Sequence, residues 1–256
     1  MVSNSLDDLS MLEPPQDLAA RHGGLQFRDI GRRWLDTFKL IAGLRREDHI
    51  LDVGCGAGRL TLALAPYLGV VGRYEGFDVN SREIEWCRKE IEPRWPRSHF
   101  RLVDVRNATY NPTGAVPARE FRFPYNDGTF DFVFLTSVFT HMLPEEMHNY
   151  LSEITRVLNS GGRCLITYFI LNDKSRTAIL NNKARLNFQH SIHPCAYVQH
   201  RHQPEKAVAY DEAFLRKQYL EVGLQIKEPI HFGGWSGSPV SPAPRHSQDI
   251  IVAFKS

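Results

Sequence analysis

The sequence predicts an α/β fold: a mostly parallel sheet of seven strands with helices on both faces. Three observations carry this expectation. Short apolar runs alternate along the chain with stretches of helical periodicity. The early runs, such as "HILDVGC" (49–55), are apolar almost throughout, as strands covered on both faces are. A glycine-rich turn, "LDVGCGAGRL" (51–60), joins the first run to a helix, as in open α/β sheets.

Residues 1–24 are polar and marked by Pro and Gly, and are expected to form a loosely held arm. Between 25 and 43, Phe27, Ile30, Trp34, Leu35, Phe38 and Ile41 recur at helical spacing. After the first strand, a helix is expected from Arg59 to Ala65, halted near Pro66. "YEGFDVN" (74–80) reads as the second strand. Ser81 is the expected N-cap of a helix to Ile91, with Glu83 and Glu85 in its first turns. "HFRLVDV" (99–105) and "FDFVFLTSV" (130–138) supply the third and fourth strands. Pro144 opens a helix whose apolar stripe is Met147, Leu151, Ile154 and Leu158 and whose end is Gly161-Gly162. "RCLITYFIL" (163–171) is the fifth strand. Asp211 is expected to cap a further helix stopped by Gly223, and "LQIKEPI" and "QDIIVAFK" close the sheet.

Two stretches break the rhythm, 106–124 and 172–209. Loops of that length in a compact domain are usually functional or disordered, so both are read as substrate-facing. The chain is thus expected to be one domain. It comprises an N-terminal arm and helix (1–47), a core (48–170), an insertion or lid (171–209) and a C-terminal helix with strands (210–256).

Composition narrows the function. With 256 residues, 42% apolar and 23% charged, the chain fits an ordinary globular domain. A net charge of +2 is too balanced for nucleic acid to be the main partner. No run of about 18 apolar residues predicts a membrane span, and the N-terminus lacks a signal-peptide pattern. A cytoplasmic location is expected. Cys55, Cys87, Cys164 and Cys195 show neither disulfide nor zinc spacing, and read as reduced thiols. The cluster "HSIHPCAYVQHRH" holds His190, His193, His200 and His202, but no acid joins them closely. No metal is expected; these histidines are candidates for a polar wall of a pocket.

The glycine turn bears the chemistry. Glycine costs backbone entropy, so three at alternate positions imply a close approach to the main chain. The loop N–H groups and the following helix N-terminus offer a cradle for an anion. A dinucleotide motif, G-x-G-x-x-G, fails here: Arg59 stands at its third glycine and Gly58 comes one residue early. The pattern D-x-G-x-G-x-G, Asp52 to Gly58, instead resembles motif I of class I S-adenosylmethionine (SAM)-dependent methyltransferases. Asp78 at the end of the second strand, Asp104 near the end of the third, "FPYNDGTFDFVFLTSVFTHM" and "LSEITRVLNSGGRCLIT" are similar to further family segments. The resemblance runs from about residue 48 to 170 and more loosely to the C-terminus.

It implies a sheet with an antiparallel C-terminal strand, SAM as cofactor and S-adenosylhomocysteine as product. The implied cofactor set is Asp52, Gly54, Gly56, Gly58, Asp78, Val79, Asp104, Val105 and Leu135. In it Asp78 accepts from the ribose hydroxyls and Asp104 from the adenine amino group, with Val105 beside the ring. Asp52 orients loop amides or a ligand-bound water, and Arg59 either faces the methionine carboxylate or points outward. His141, in "SVFTHML", is the candidate base for a hydroxyl acceptor. Tyr110, Tyr125, Tyr168 and Trp235 are candidates to line the acceptor pocket. The insertions resemble bacterial methyltransferases of glycans and natural products, which implies O-methylation of a sugar-like or other small polar acceptor. N- or C-methylation, a nicotinamide-dependent oxidoreductase and a catalytically silent SAM-binding protein remain alternatives, and the oligomeric state is open.

Overall fold

A computed structural model describes residues 9, 12–237 and 246–256. The chain opens with α1 (Gln16–Arg21), α2 (Phe27–Ile41), β1 (His49–Val53), α3 (Arg59–Leu68), β2 (Arg73–Asp78), α4 (Ser81–Glu90) and β3 (Ser98–Leu102). It continues through β4 (Val105–Arg106), β5 (Val116–Pro117), β6 (Phe130–Leu135), α5 (Pro144–Val157), β7 (Leu158–Tyr168) and β8 (Ile170–Leu171). The remainder is α6 (Asp173–Leu180), β9 (His190–His193), β10 (Ala196–Val198), β11 (Val208–Asp211), α7 (Glu212–Glu221), β12 (Leu224–Ile226) and β13 (Asp249–Lys255). The main sheet has seven strands in the order β12-β13-β7-β6-β1-β2-β3. The expected α/β class and strand number are borne out.

The chain divides into two compact units, one running to Asp104 together with Phe130–Phe134, the other holding Val105–Thr129 and Leu135–Ser256. In the first, β1 is central and pairs in parallel with both β2 and β6, while β3 pairs in parallel with β2. Ile50 and Leu51 are wholly buried, as a doubly covered strand requires. The stripe on α2 buries Phe27, Trp34, Phe38 and Ile41. Phe38 lies 5.4 Å from Phe132 and 4.6 Å from Phe134, ring centre to ring centre, which seats α2 on β6. A Cβ on Gly31 would come 2.8 Å from the carbonyl oxygen of Arg59, so only glycine lets α3 pack this closely against α2. Helix α3 does not stop before Pro66 but runs through it to Leu68. Proline's fixed φ is compatible with helix, and the one i→i−4 bond that Pro66 cannot make, to the carbonyl of Leu62, is lost without ending the helix. On α4 the N-cap is Asn80, whose side chain accepts from Glu83 N, and not Ser81.

In the second unit, β13 is antiparallel to both β7 and β12. Strand β7 begins at Leu158, directly after α5, so Gly161 and Gly162 lie within the strand and do not end the helix. Asp211 precedes α7 without a side-chain capping bond; its carboxylate pairs instead with Arg176.

Residues 172–209, read from sequence as a long loop, are largely folded. They form α6, and their β9, β10 and the first half of β11 join a four-stranded sheet, β8-β11-β10-β9. Phe169, Leu171, Ile179, Phe188, Ala207, Ala209 and Trp235 form a buried cluster there. Trp235 and Tyr168 are therefore core residues, not pocket walls. Trp235 donates from Nε1 to Asp249 at 2.7 Å, and Tyr168 shares a 2.9 Å hydroxyl bond with Tyr219. Asp249 also accepts from the N–H groups of Gly233 and Ile170, yet burial pushes its carboxyl up to about 7. No described helix is long and apolar enough to cross a membrane.

Phe188 is 3% exposed and contacts Trp235 and Phe169 edge-on or tilted. Phe188→Ala is expected to cost about 3–5 kcal/mol of global stability, as for other buried Phe truncations. Urea denaturation measures it; a loss below about 1 kcal/mol would mark residues 172–209 as a detachable flap.

Candidate functional site

The loop after β1 adopts left-handed backbone at all three glycines, with φ of +81° at Gly54, +52° at Gly56 and +73° at Gly58. Each conformation disfavours a side chain. Space reinforces this at two of them. A Cβ on Gly58 would lie 2.6 Å from Ile91 Cδ1, so this glycine admits a side chain that follows α4. A Cβ on Gly56 would lie 2.5 Å from His22 Cε1 and 3.2 Å from Glu83 Oε2. The groups that press on these two glycines therefore belong to the protein itself.

The loop is also not an open anion cradle. Gly54 N and Cys55 N donate to Phe77 O, Gly58 N to Cys55 O, and Gly56 N to Asp78 Oδ2 at 2.9 Å. Asp78 Oδ1 accepts from Asn80 N. The acid that orients the loop is Asp78; Asp52, expected in that role, instead accepts from the Tyr74 hydroxyl at 2.7 Å. Asp52 is 1% exposed and its Oδ1 has no hydrogen-bond partner among the described residues. Burial pushes Asp52 up to about 8, opposed by the Tyr74 hydroxyl and reinforced by the Asp78 charge. Burial also raises Asp78, while the N–H groups of Asn80 and Gly56 lower it and Glu83 raises it further. The loop region is thus acidic: Asp52, Asp78 and the 3%-exposed Glu83 gather around it.

Sequence reasoning missed two members of this cluster. His22, assigned to a loose arm, places Nε2 3.0 Å from Glu83 Oε1. Glu83 read only as a first-turn helix acid. Arg59 donates from Nη1 to the His22 carbonyl at 2.6 Å, and burial lowers its pKa. Val79 is half-buried just past β2, and Asp104 is exposed between β3 and β4. Val105 and Leu135 are buried; Leu135 exposes no surface.

A second cluster belongs to the other unit. His141 Nδ1 lies 2.9 Å from the carbonyl oxygen of Glu205. A carbonyl only accepts, so Nδ1 carries the proton and the neutral ring keeps its lone pair on Nε2. Tyr110 stands edge-on to this ring at 6.4 Å, and Tyr125 is half-buried. Glu205 Oε2 accepts from Ala108 N, and the same residue lines a cavity of about 400 Å³ with Arg106, Arg119 and Glu146. Glu146 Oε2 accepts from Leu143 N at the start of α5, and burial raises its carboxyl. The stretch 106–124 lines this cavity, whose wall holds no aromatic ring.

The loop histidines are not gathered. His193 Nδ1 lies 2.8 Å from Cys195 Sγ, His190 accepts from Arg201, and His200 and His202 are exposed. Among the described residues no group of three or more potential ligands is placed to hold a metal ion. All four cysteines are free and buried.

Comparison with known proteins adds to this geometry. Residues 51–166 match a family model described as a methyltransferase domain. A demethylmenaquinone methyltransferase of Symbiobacterium thermophilum is 30% identical over 131 residues, 51% of this chain and 46% of that protein. The O-methyltransferase cnsE of Penicillium expansum is 27% identical over 121 residues, 46% of this chain and 37% of that protein. The chain thus spans half or less of the length of these two relatives. Among solved structures, a SAM-dependent methyltransferase of Methanosarcina mazei aligns with a TM-score of 0.54 at 20% identity, covering 83% of this chain and 94% of its own. That likeness is one of fold.

The acidic cluster makes a pH prediction. With its carboxyl raised from 3.8 to about 8, folded Asp52 holds a proton that the unfolded chain has released across that window. The native state then binds more protons than the unfolded one, so this group's contribution to stability falls as pH rises from about 4 to 8. Denaturant midpoints measured across that range are expected to decline less steeply in Asp52→Asn than in wild type. Parallel profiles would show that Asp52 ionises in the folded protein as it does in the unfolded chain.

Proposed function

From a chain whose residues 51–166 form a methyltransferase domain with the class I, Rossmann-like fold, we propose a SAM-dependent methyltransferase that methylates a hydroxyl of a small polar acceptor. The observation that carries the cofactor reading is the charge around the glycine loop. Four of its N–H groups are consumed within the protein, and three carboxyl groups stand beside it. A diphosphate would meet the carboxylates of Asp78 and Glu83 there, whereas a sulfonium cation is favoured by them and eases ionisation of the buried Asp52. This weighs against a nicotinamide dinucleotide.

Bound SAM supplies an electrophilic methyl group; the protein's part is to bind, orient and deprotonate. Gly54, Gly56 and Gly58 keep the loop backbone compact and free of side chains. Each Asp78 oxygen accepts one N–H and retains a lone pair, which suits it to a pair of vicinal ribose hydroxyls. Asp52 presents its unpartnered Oδ1 at the base of the loop, and Val79, Asp104, Val105 and Leu135 complete the proposed cofactor set. His141 accepts the acceptor's proton at Nε2, with Nδ1–H held by the Glu205 carbonyl.

The finer assignment, a sugar-like acceptor, rests on the cavity. Its charged groups, Arg106, Arg119, Glu146 and Glu205, offer both donors and acceptors for hydroxyls, and small side chains such as Pro112 and Pro117 fit C–H faces. A relative named as an O-methyltransferase supports oxygen as the atom methylated.

Three measurements test this. Calorimetry is expected to find micromolar S-adenosylhomocysteine binding, about −8 kcal/mol, and none of NAD; the reverse preference would sink the cofactor reading. Asp78→Ala is expected to weaken that binding by about 1.5–3 kcal/mol, the scale of hydrogen bonds to a charged group. A mass-spectrometric screen of sugars, phenols and amines for a gain of one methyl identifies the acceptor. With a hydroxyl acceptor, His141→Ala is expected to slow turnover by roughly 10²–10⁴ while leaving cofactor affinity unchanged. A near-wild-type rate would remove His141 as the base.

A further inference from the structure

Residues 12–24, within the stretch whose composition implies a loose arm, are folded onto the glycine loop. They bridge the glycine loop and α4 through three polar contacts. His22 packs its ring on the bare Cα of Gly56, and its Nε2 lies 3.0 Å from the buried Glu83 carboxylate. Arg59, first residue of the helix after the loop, holds the His22 carbonyl at 2.6 Å. On the surface, Arg82 of α4 pairs with Asp17 of α1 at 2.7 Å. Leu18 is the only buried residue of α1, with Pro14 and Leu9 buried upstream of it. Behind His22 the chain turns through two left-handed glycines, Gly23 at φ +107° and Gly24 at φ +55°. A Cβ on Gly23 would strike Ile30 at 2.4 Å.

A short helix with one buried side chain, polar contacts at its tip and a double-glycine hinge is the kind of element that opens locally at small cost. What it covers is the loop that any ligand of this site must reach: Gly56 itself is buried. We propose that residues 16–23 form a latch over the glycine loop, hinged at Gly23-Gly24 and caught by His22 on Glu83, which must open for the cofactor to exchange. This rests on the reading of the loop as the SAM site. His22 is then a positioning residue: closed, it presses on Gly56, whose N–H in turn holds Asp78.

The test uses the full chain and S-adenosylhomocysteine as probe. In wild type, hydrogen exchange of the amides at 16–24 is expected to slow when the probe binds. In His22→Ala, which removes the ring on Gly56 and its 3.0 Å contact with Glu83, probe association and dissociation are both expected to quicken, dissociation by about tenfold. Arg82→Ala, at an exposed position with little bearing on folding, is expected to shift both rates in the same direction by a smaller factor. Rates within twofold of wild type in both variants, or exchange at 16–24 indifferent to the probe, would overturn the latch and leave the cofactor site standing. Wild-type protein that fails to bind the probe would overturn the cofactor reading, and the latch with it.

Discussion

The hydrogen bond from Gly56 N to Asp78 Oδ2 is the constraint on which the site depends. Parallel pairing of β1 with β2 brings Val53 opposite Phe77, so the two strands end side by side. The chain leaving β1 then meets the end of β2 within hydrogen-bonding distance. Gly54 and Cys55 give their N–H groups to Phe77, and Gly56 reaches the next side chain. Such a turn needs positive φ at three positions, which is why the glycines recur at every second residue.

That closure decides the electrostatics. A glycine turn before a helix ordinarily leaves N–H groups pointing outward, ready for phosphate. Here the N–H groups of Gly54, Cys55, Gly56 and Gly58 are spent on Phe77, Cys55 and Asp78, and Asp52 Oδ1 is among the buried polar atoms without a hydrogen-bond partner in the described residues. The Asp78 charge makes Asp52 harder to ionise, and Glu83 adds to the load on Asp78. A ligand that brings positive charge relieves all three; one that brings negative charge does not. Within the protein, the ring of His22 occupies the place beside Glu83, with Nε2 3.0 Å from Oε1.

In the other unit, the folded insertion contributes at two levels. Its aromatic cluster with Phe169 and Trp235 gives it a core of its own. Its turn at Pro204–Lys206 supplies the carbonyl that sets the His141 tautomer and the carboxylate that grips Ala108. A disordered strip could hold neither group steady. His141 and the cavity wall are therefore held by the small sheet behind them.

The sequence by itself determined the alternation of strands and helices, the strand-loop-helix setting of Gly54, Gly56 and Gly58, and the acid at Asp78. These depend on period, turn chemistry and short separation, all local properties of the chain. Local signals also misplaced some ends: Asn80 outcompetes Ser81 as a cap, and α3 runs through Pro66 to Leu68 although the proline forgoes one i→i−4 bond. Tertiary structure alone decided that Asp78 and not Asp52 holds the loop, that His22 lies on Gly56, that Glu205 orients His141, and that residues 172–209 pack around Phe188 and Trp235. Each of these joins groups between 22 and 64 residues apart, or short polar strands whose pattern is too brief to stand out. Contacts of that span follow from how strand ends and hinges meet in space, which no local period encodes.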